Sequence, residues 1–510
     1  MNKLTLVTQL LSLTLCAGWA LGGSGACADA GLIGDRAIVG MNDGQSIEVF
    51  IDLFNAAYPD IPVELVDSIP NRNIHLVGFD FSKIDPASLP DLLSEIEDDF
   101  YSQFDPDIPG PVRFAEGLYV SEAPEGGTGS FWLGIPDGSP ELTQQYFWDL
   151  LDMDSALPMS QGQGVTVAVI DTGVDAEHPV LQGAVLASVG FNFVQENAIT
   201  GDIAAQADSD GDGFVDEMTG HGTFVAGLIA TVAPEAKIVP IIALDSNGNG
   251  NLYVLAKSIF HAIDQGVDIV NVSISSTYKS EAVEEACDEA RTKGIVIVAA
   301  AGNCGVDEPE QWPAYDDSTF GVIATDHNDV KADFSNFSED LFICAPGNTV
   351  SIAGEPVIMQ SIISAMPDGG YAAWSGTSFA APLTSGAAAL IRAQFPDAAR
   401  SSALFGLIQT KLQISAVDIC EQNSAYCPGD DDSQLGFGRV NIGGAVALSP
   451  PAPPLGDLNF DGSVGAADLA DILASWGPCP LPPDHCMADL TGDNLIGPAD
   501  LAELLAHWSR

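Results

Sequence analysis

Between residues 140 and 448 the chain alternates between mainly apolar runs and segments of helical spacing. The runs Val165–Ile170, Ile238–Leu244, Val267–Ser273, Ile295–Ala301 and Phe320–Thr325 are short and lack the polar alternation of a half-exposed strand, so they read as strands buried on both faces. The segments His221–Val232, Leu252–Gln265, Glu281–Lys293 and Ser378–Gln394 repeat apolar residues at helical intervals. Buried strands separated by helices predict an α/β fold: a doubly wound, mostly parallel sheet covered on both faces. Such sheets place ligands at the carboxyl ends of their strands, which is where residues capable of chemistry should lie.

The rest of the chain divides around this unit. Residues 1–28 read as a secretory signal: Lys3, an apolar stretch from Leu4 to Leu21, then Ala26-Cys27-Ala28 as a cleavage site, with a membrane anchor as the alternative. Residues 31–135 predict a small α/β domain, with a strand at Ala37–Val39, a helix at Ile47–Tyr58, two strands within Val63–Phe79 around Asn71-Arg72-Asn73, and a helix at Leu89–Phe100. The glycines of residues 126–129 read as an exposed linker, and Ser-Pro-Pro-Ala-Pro-Pro at 449–454 as a stiff one. Residues 455–510 hold a repeat: the stretch beginning at Asp457 recurs at Asp489, and each copy leads into an Asp-Leu-Ala helix ending near Trp476 or Trp508.

Charge narrows the partners. The 71 acidic residues against 16 basic ones give a formal net charge of -55, which repels nucleic acid and anionic lipid and suits cation binding or a salty medium. No segment after the signal is expected to enter a membrane. Outside the signal, Cys420/Cys427 and Cys479/Cys486 are close enough to form local disulfides in an oxidising compartment, and at least one of Cys287, Cys304 and Cys344 must stay free.

Three separated motifs carry residue types that work together. Val169-Ile170-Asp171-Thr172-Gly173 ends an apolar strand in a carboxylate, Gly220-His221-Gly222 opens a helix with an imidazole, and Ser375-Gly376-Thr377-Ser378 opens another with a hydroxyl. A serine hydroxyl attacks only when a base takes its proton, and the imidazole needs a carboxylate to hold its tautomer. A fourth motif, Ile295 to Asn303, ends a buried strand with an amide that could donate to an oxyanion together with the Ser378 N–H.

Taken with their order, Asp, His, Ser, these motifs resemble the subtilisin-like serine proteases over roughly residues 140–448. The resemblance implies an endopeptidase acting through Asp171, His221 and Ser378, with Asn303 in the oxyanion hole. It implies an extended peptide or protein substrate bound beside Asn271–Ser276, with Ser273, Ser275 and Gly302 as substrate-binding residues. Serines stand at 275 and 276 where that family often has glycine, and Phe224 stands where many members have histidine. The N-terminal domain would then be an inhibitory, fold-assisting propeptide, removed by a cut somewhere in about 110–145. A catalytically silent member serving as a binding or scaffold component is the alternative.

Calcium is the expected cofactor, in a structural role, with no organic cofactor. Asp208, Asp210, Asp212 and Asp216 sit at positions 1, 3, 5 and 9 of a loop with Gly213 at the sixth, although Thr219 replaces the usual acid at the twelfth. In the C-terminal repeat, Asp457, Asn459, Asp461, Ser463 and Asp468 form one loop and Asp489, Thr491, Asp493, Leu495 and Asp500 the other, Ser463 and Leu495 through their backbone. Aspartate at the last position makes this segment resemble a dockerin, a small all-α module, which implies a cohesin-like scaffold protein as partner.

Overall fold

The computed structural model describes residues 31–79, 112–125, 131–132, 140–209, 213–352, 355–396, 398–427, 433–448, 464–474, 476–478, 490 and 495–508. The signal at 1–28, the helix at Leu89–Phe100, the linkers at 126–129 and 449–454, the Cys479/Cys486 pair, and Asp210, Asp212, Asp457, Asn459, Asp461, Ser463, Asp489, Thr491 and Asp493 lie outside these residues.

Among the described residues, the N-terminal domain is a sheet with a helix on it. Strands β1 (Leu32–Met41), β2 (Val63–Ile69), β3 (Ile74–Phe79) and β4 (Val112–Glu122) are antiparallel in the order β2-β3-β1-β4. Helix α1 (Ile47–Ala57) buries Ile47, Phe50 and Phe54 against Val39, Val77, Phe79 and Val112, the i, i+3, i+7 stripe of an amphipathic helix.

The central unit is the expected α/β fold. Seven parallel strands run in the order β12-β11-β10-β9-β5-β7-β6. They are β5 (Thr166–Asp171), β6 (Phe191–Asn192), β7 (Lys237–Ile242), β9 (Ile269–Val272), β10 (Val296–Ala300), β11 (Thr319–Thr325) and β12 (Ile343–Pro346). Every residue of β9, β10 and β11 is buried, as continuous apolar runs require when helices cover both faces. The helices that matter for the site are α2 (His221–Val232), α3 (Leu252–Gln265), α4 (Glu281–Thr292) and α5 (Thr377–Ala393). Cys420 and Cys427 are disulfide-bonded, while Cys287 and Cys344 are free thiols buried in the core.

The strand β4 joins the two units. Its end pairs antiparallel with β8 (Asn249–Asn251) of the central unit, so one five-stranded sheet spans both. The sheet lies across α3 and α4. Glu116 is buried and accepts from Ser280 Oγ (2.6 Å) and from the N–H groups of Glu281 and Ala282, closing the open N-terminus of α4. Arg113 pairs with Glu285, Arg72 with Glu289 and Asp264, and Lys257 with Asp67. In a chain so poor in basic residues, this concentration of cations makes the interface a specified one.

The C-terminal segment contains α6 (Ala466–Ala474) and α7 (Pro498–Ala506), packed through Val464, Ile472, Ile496 and Leu504. It is not all-helical: Gly477–Pro478 pairs antiparallel with Leu495–Ile496. No helix among the described residues is long and apolar enough to cross a membrane.

Candidate active site

Asp171 closes β5, and Ser273 and Asn303 stand just beyond β9 and β10, so three of the expected residues gather at the carboxyl ends of adjacent central strands. His221 and Ser378 reach the same point from the first turns of α2 and α5. All of Asp171, His221 and Ser378 are fully buried. His221 Nδ1 lies 2.8 Å from Asp171 Oδ1, which also accepts the Thr172 N–H at 2.7 Å. This arrangement puts a proton on Nδ1 and leaves Nε2 facing the serine side.

Helix α2 begins where it does because of a residue that sequence reasoning missed. Asp202 is buried and accepts from the N–H of Gly220 (2.9 Å), the N–H of Thr223 (3.0 Å) and the Thr223 hydroxyl (2.7 Å), satisfying the open helix start. Thr172 Oγ1 also donates to Asp202 and accepts from Gly222 N–H, so one carboxylate ties α2 to the end of β5. Burial pushes the Asp202 carboxyl up to about 6, with nearby Asp171 adding to the rise and the surrounding donors opposing it. Its position in a loop 19 residues before His221 offers no motif by which to find it.

The amide of Asn303 is held in one orientation. Its Oδ1 accepts from both the N–H and the hydroxyl of Thr377 (2.9 Å each), which turns Nδ2 toward Ser378. Gly302 makes that turn possible with φ +98°, and its N–H bonds to Thr377 Oγ1. Asn303 Nδ2 and the Ser378 N–H then point at one shared position, occupied here by Glu125 Oε1 at 2.9 and 3.2 Å. Glu125 Oε2 accepts from Ser378 Oγ (2.7 Å) and lies 3.1 Å from His221 Nε2. No sequence motif marks Glu125. It stands just before glycines that read only as a linker.

The segment expected to line the substrate pairs with the end of β4. Ser275 exchanges both backbone hydrogen bonds with Glu122, and Ser276 Oγ donates to Val120 O. The Ser273 hydroxyl faces inward, accepting from Asn271 Nδ2 and donating to Ser378 O at 3.2 Å. Phe224 packs against Trp374 and Phe379, the aromatic wall behind His221.

Of the expected calcium ligands that are described, Asp208 Oδ2 accepts the Gly213 N–H at 3.1 Å across its loop. Asp216 is turned toward Ala205 and Gln206, whose N–H groups it accepts. The loop is pinned to the 245–249 turn by Ser209 with Asp245 and by Asn247 with Ala207. Asp468 and Asp500 are buried, and each accepts the N–H of the glycine three residues earlier, Gly465 and Gly497. Leu495 is exposed and pairs with Pro478. Leu473, Trp476, Leu505 and Trp508 are exposed in two equivalent pairs.

A parallel α/β sheet whose strand ends bring together a buried aspartate, histidine and serine defines a serine hydrolase. Comparison with known proteins sharpens the class. The Subtilase family matches residues 162–438, more than half of the chain. Thermitase from Thermoactinomyces vulgaris is 33% identical over 262 residues, covering 49% of this chain and 83% of thermitase. Subtilisin DY from Bacillus licheniformis is 30% identical over 298 residues, covering 56% of this chain and 92% of that one. In fold, fervidolysin from Fervidobacterium pennivorans aligns with 83% of this chain and 62% of its own at a TM-score of 0.57 and 23% identity. The chain belongs to the subtilase family and is a subtilisin-like serine endopeptidase.

Proposed function

We propose that this endopeptidase cuts extended peptides through Ser378 as nucleophile, His221 as general base and then acid, and Asp171 as the group that orients the imidazole. The observation that carries this reading is the convergence on Glu125: a hydroxyl, an imidazole nitrogen and two N–H donors all meet one carboxylate. A substrate carbonyl oxygen takes the place of Oε1, between Asn303 Nδ2 and the Ser378 N–H. Ser378 Oγ then attacks the carbonyl carbon while His221 Nε2 takes its proton, and the two donors receive the charge that develops on oxygen. The imidazolium returns the proton to the leaving amine, leaving an acyl-enzyme that water hydrolyses by the same steps in reverse order. The peptide lies as a strand between β8 and Ser275, in the place the end of β4 occupies.

The N-terminal domain acts as a propeptide and the chain is exported as a zymogen. Its intimate docking on α3 and α4 supports this, as does its occupation of the substrate strand. Calcium held by the 208–216 loop would brace the 245–249 turn, one wall of the substrate groove, and calcium in the C-terminal loops would hold the two helices in register. The paired exposed apolar residues on that module support docking to a cohesin-like partner at a surface. The test is hydrolysis of a protein substrate by the processed chain. Ser378→Ala and His221→Ala should each lower kcat on the order of a million-fold; a processed chain unaffected by either change would refute the assignment.

A further inference from the structure

The end of β4 enters the cleft as a peptide strand but does not finish as a substrate. Glu122 is paired on both sides, with Asn249 in β8 and with Ser275, and Ala123 donates one further bond to Gly248 O. Pro124 follows, and it has no N–H with which to extend the ladder. Glu125 then fills the centre with its side chain, which is wholly buried. Oε1 occupies the position on which Asn303 Nδ2 and Ser378 N–H converge, and Oε2 lies between Ser378 Oγ and His221 Nε2. The fit is close: a Cβ on Gly376 would collide with Oε1.

We propose that Glu125 is a self-inhibiting residue whose side-chain carboxylate imitates the oxyanion of the reaction and separates the nucleophile from its base, so that this one side chain holds the uncut protease inactive. The inference rests on the roles proposed for Ser378, His221 and Asn303, and it names the group that regulates them. While Oε1 holds both donors, no substrate carbonyl can enter. While Oε2 accepts the Ser378 hydroxyl proton, that hydroxyl is not aligned on the imidazole. His221 is disabled a second time. Burial pushes its pKa down, but the carboxylates of Asp171 and Glu125 on its two sides more than offset this and raise it, favouring an imidazolium that cannot accept a proton. The backbone next to Glu125 is therefore not cut while the carboxylate stays in place, and its withdrawal precedes processing.

The experiment uses the full chain, exposed briefly to a fluorophosphonate probe, with precursor and processed bands read in the same lane. The wild-type precursor should react at least tenfold more slowly than its processed form. Glu125→Ala should raise the precursor rate at least tenfold, or consume the precursor by rapid self-cutting. Glu125→Gln, equal in size but uncharged, should fall between, and it supplies the reading if the alanine chain does not fold. A wild-type precursor that reacts as fast as its processed form would overturn the proposal, as would a Glu125→Ala precursor as slow as wild type. Ser378→Ala separates the two levels: an unlabelled wild-type processed band, matching Ser378→Ala, would remove the nucleophile assignment and the inhibitory role with it.

Discussion

Replacing Glu116 by glutamine should change the grip of the N-terminal domain on the protease, and by a different amount at each pH. In the docked state the Glu116 carboxyl is buried against the start of α4, and burial raises its pKa from 4.5 to about 7, although Ser280, Glu281 and Ala282 donate to it. Undocking exposes it and restores the ordinary value. A carboxyl whose docked pKa is raised contributes fully below about pH 4.5. That contribution falls as pH rises toward about 7, and above it a constant penalty remains. The shift corresponds to about 3 kcal/mol, on the order of a hundredfold in the opening equilibrium. Glutamine removes the titration but leaves a donor facing backbone N–H groups, a pH-independent cost of about 1–3 kcal/mol. Neighbouring Glu289 titrates in the opposite sense: burial opposes its ionisation, but Lys293 and Arg72 hold its pKa below the ordinary value, and its contribution cancels in the comparison. The assay is amide exchange at Glu122 and Ala123 in full-length chain carrying Ser378→Ala, corrected for intrinsic rate. Wild-type protection should fall by on the order of a hundredfold between pH 4.5 and 7 relative to the glutamine chain. Parallel curves for the two chains would refute the reasoning.

Asn303→Ala removes one of the two donors and should lower kcat about 100- to 1000-fold with little change in KM, measured on a peptide amide. Asp202→Ala strands three donors at the start of α2 and should cost about 2–4 kcal/mol in unfolding free energy; kcat should fall beyond what partial unfolding explains, because His221 loses its support. Chelation of calcium should lower the melting temperature and the activity together, followed by calorimetry and peptide hydrolysis, and unchanged values in excess chelator would reject a structural cation.

The central sheet was legible because strands buried on both faces are built mainly from apolar residues. Val296–Ala300 and Ile269–Val272 therefore announce themselves without knowledge of what covers them. Asp171, His221, Ser378 and Asn303 were legible because each stands in a local motif fixed by its own element. The residues that were not legible depend on contacts between units. Strand β4 carries Arg113 and Glu116 where an isolated sheet would carry apolar or solvent-facing residues, because those positions meet α4. Glu125 has no local signature, since its role arises only when β4 pairs with β8 about 130 residues later. Asp202 is hidden in the same way, as a cap supplied to α2 from a distant loop.

Peptide mapping by mass spectrometry of the processed protease after fluorophosphonate treatment locates the reactive hydroxyl itself. Serine chemistry at the meeting point of β5, α2 and α5 requires a single adduct on the peptide containing Ser378, lost in Ser378→Ala and slowed by orders of magnitude in His221→Ala. An adduct on another serine, or none in a chain that still hydrolyses peptide bonds, would contradict it.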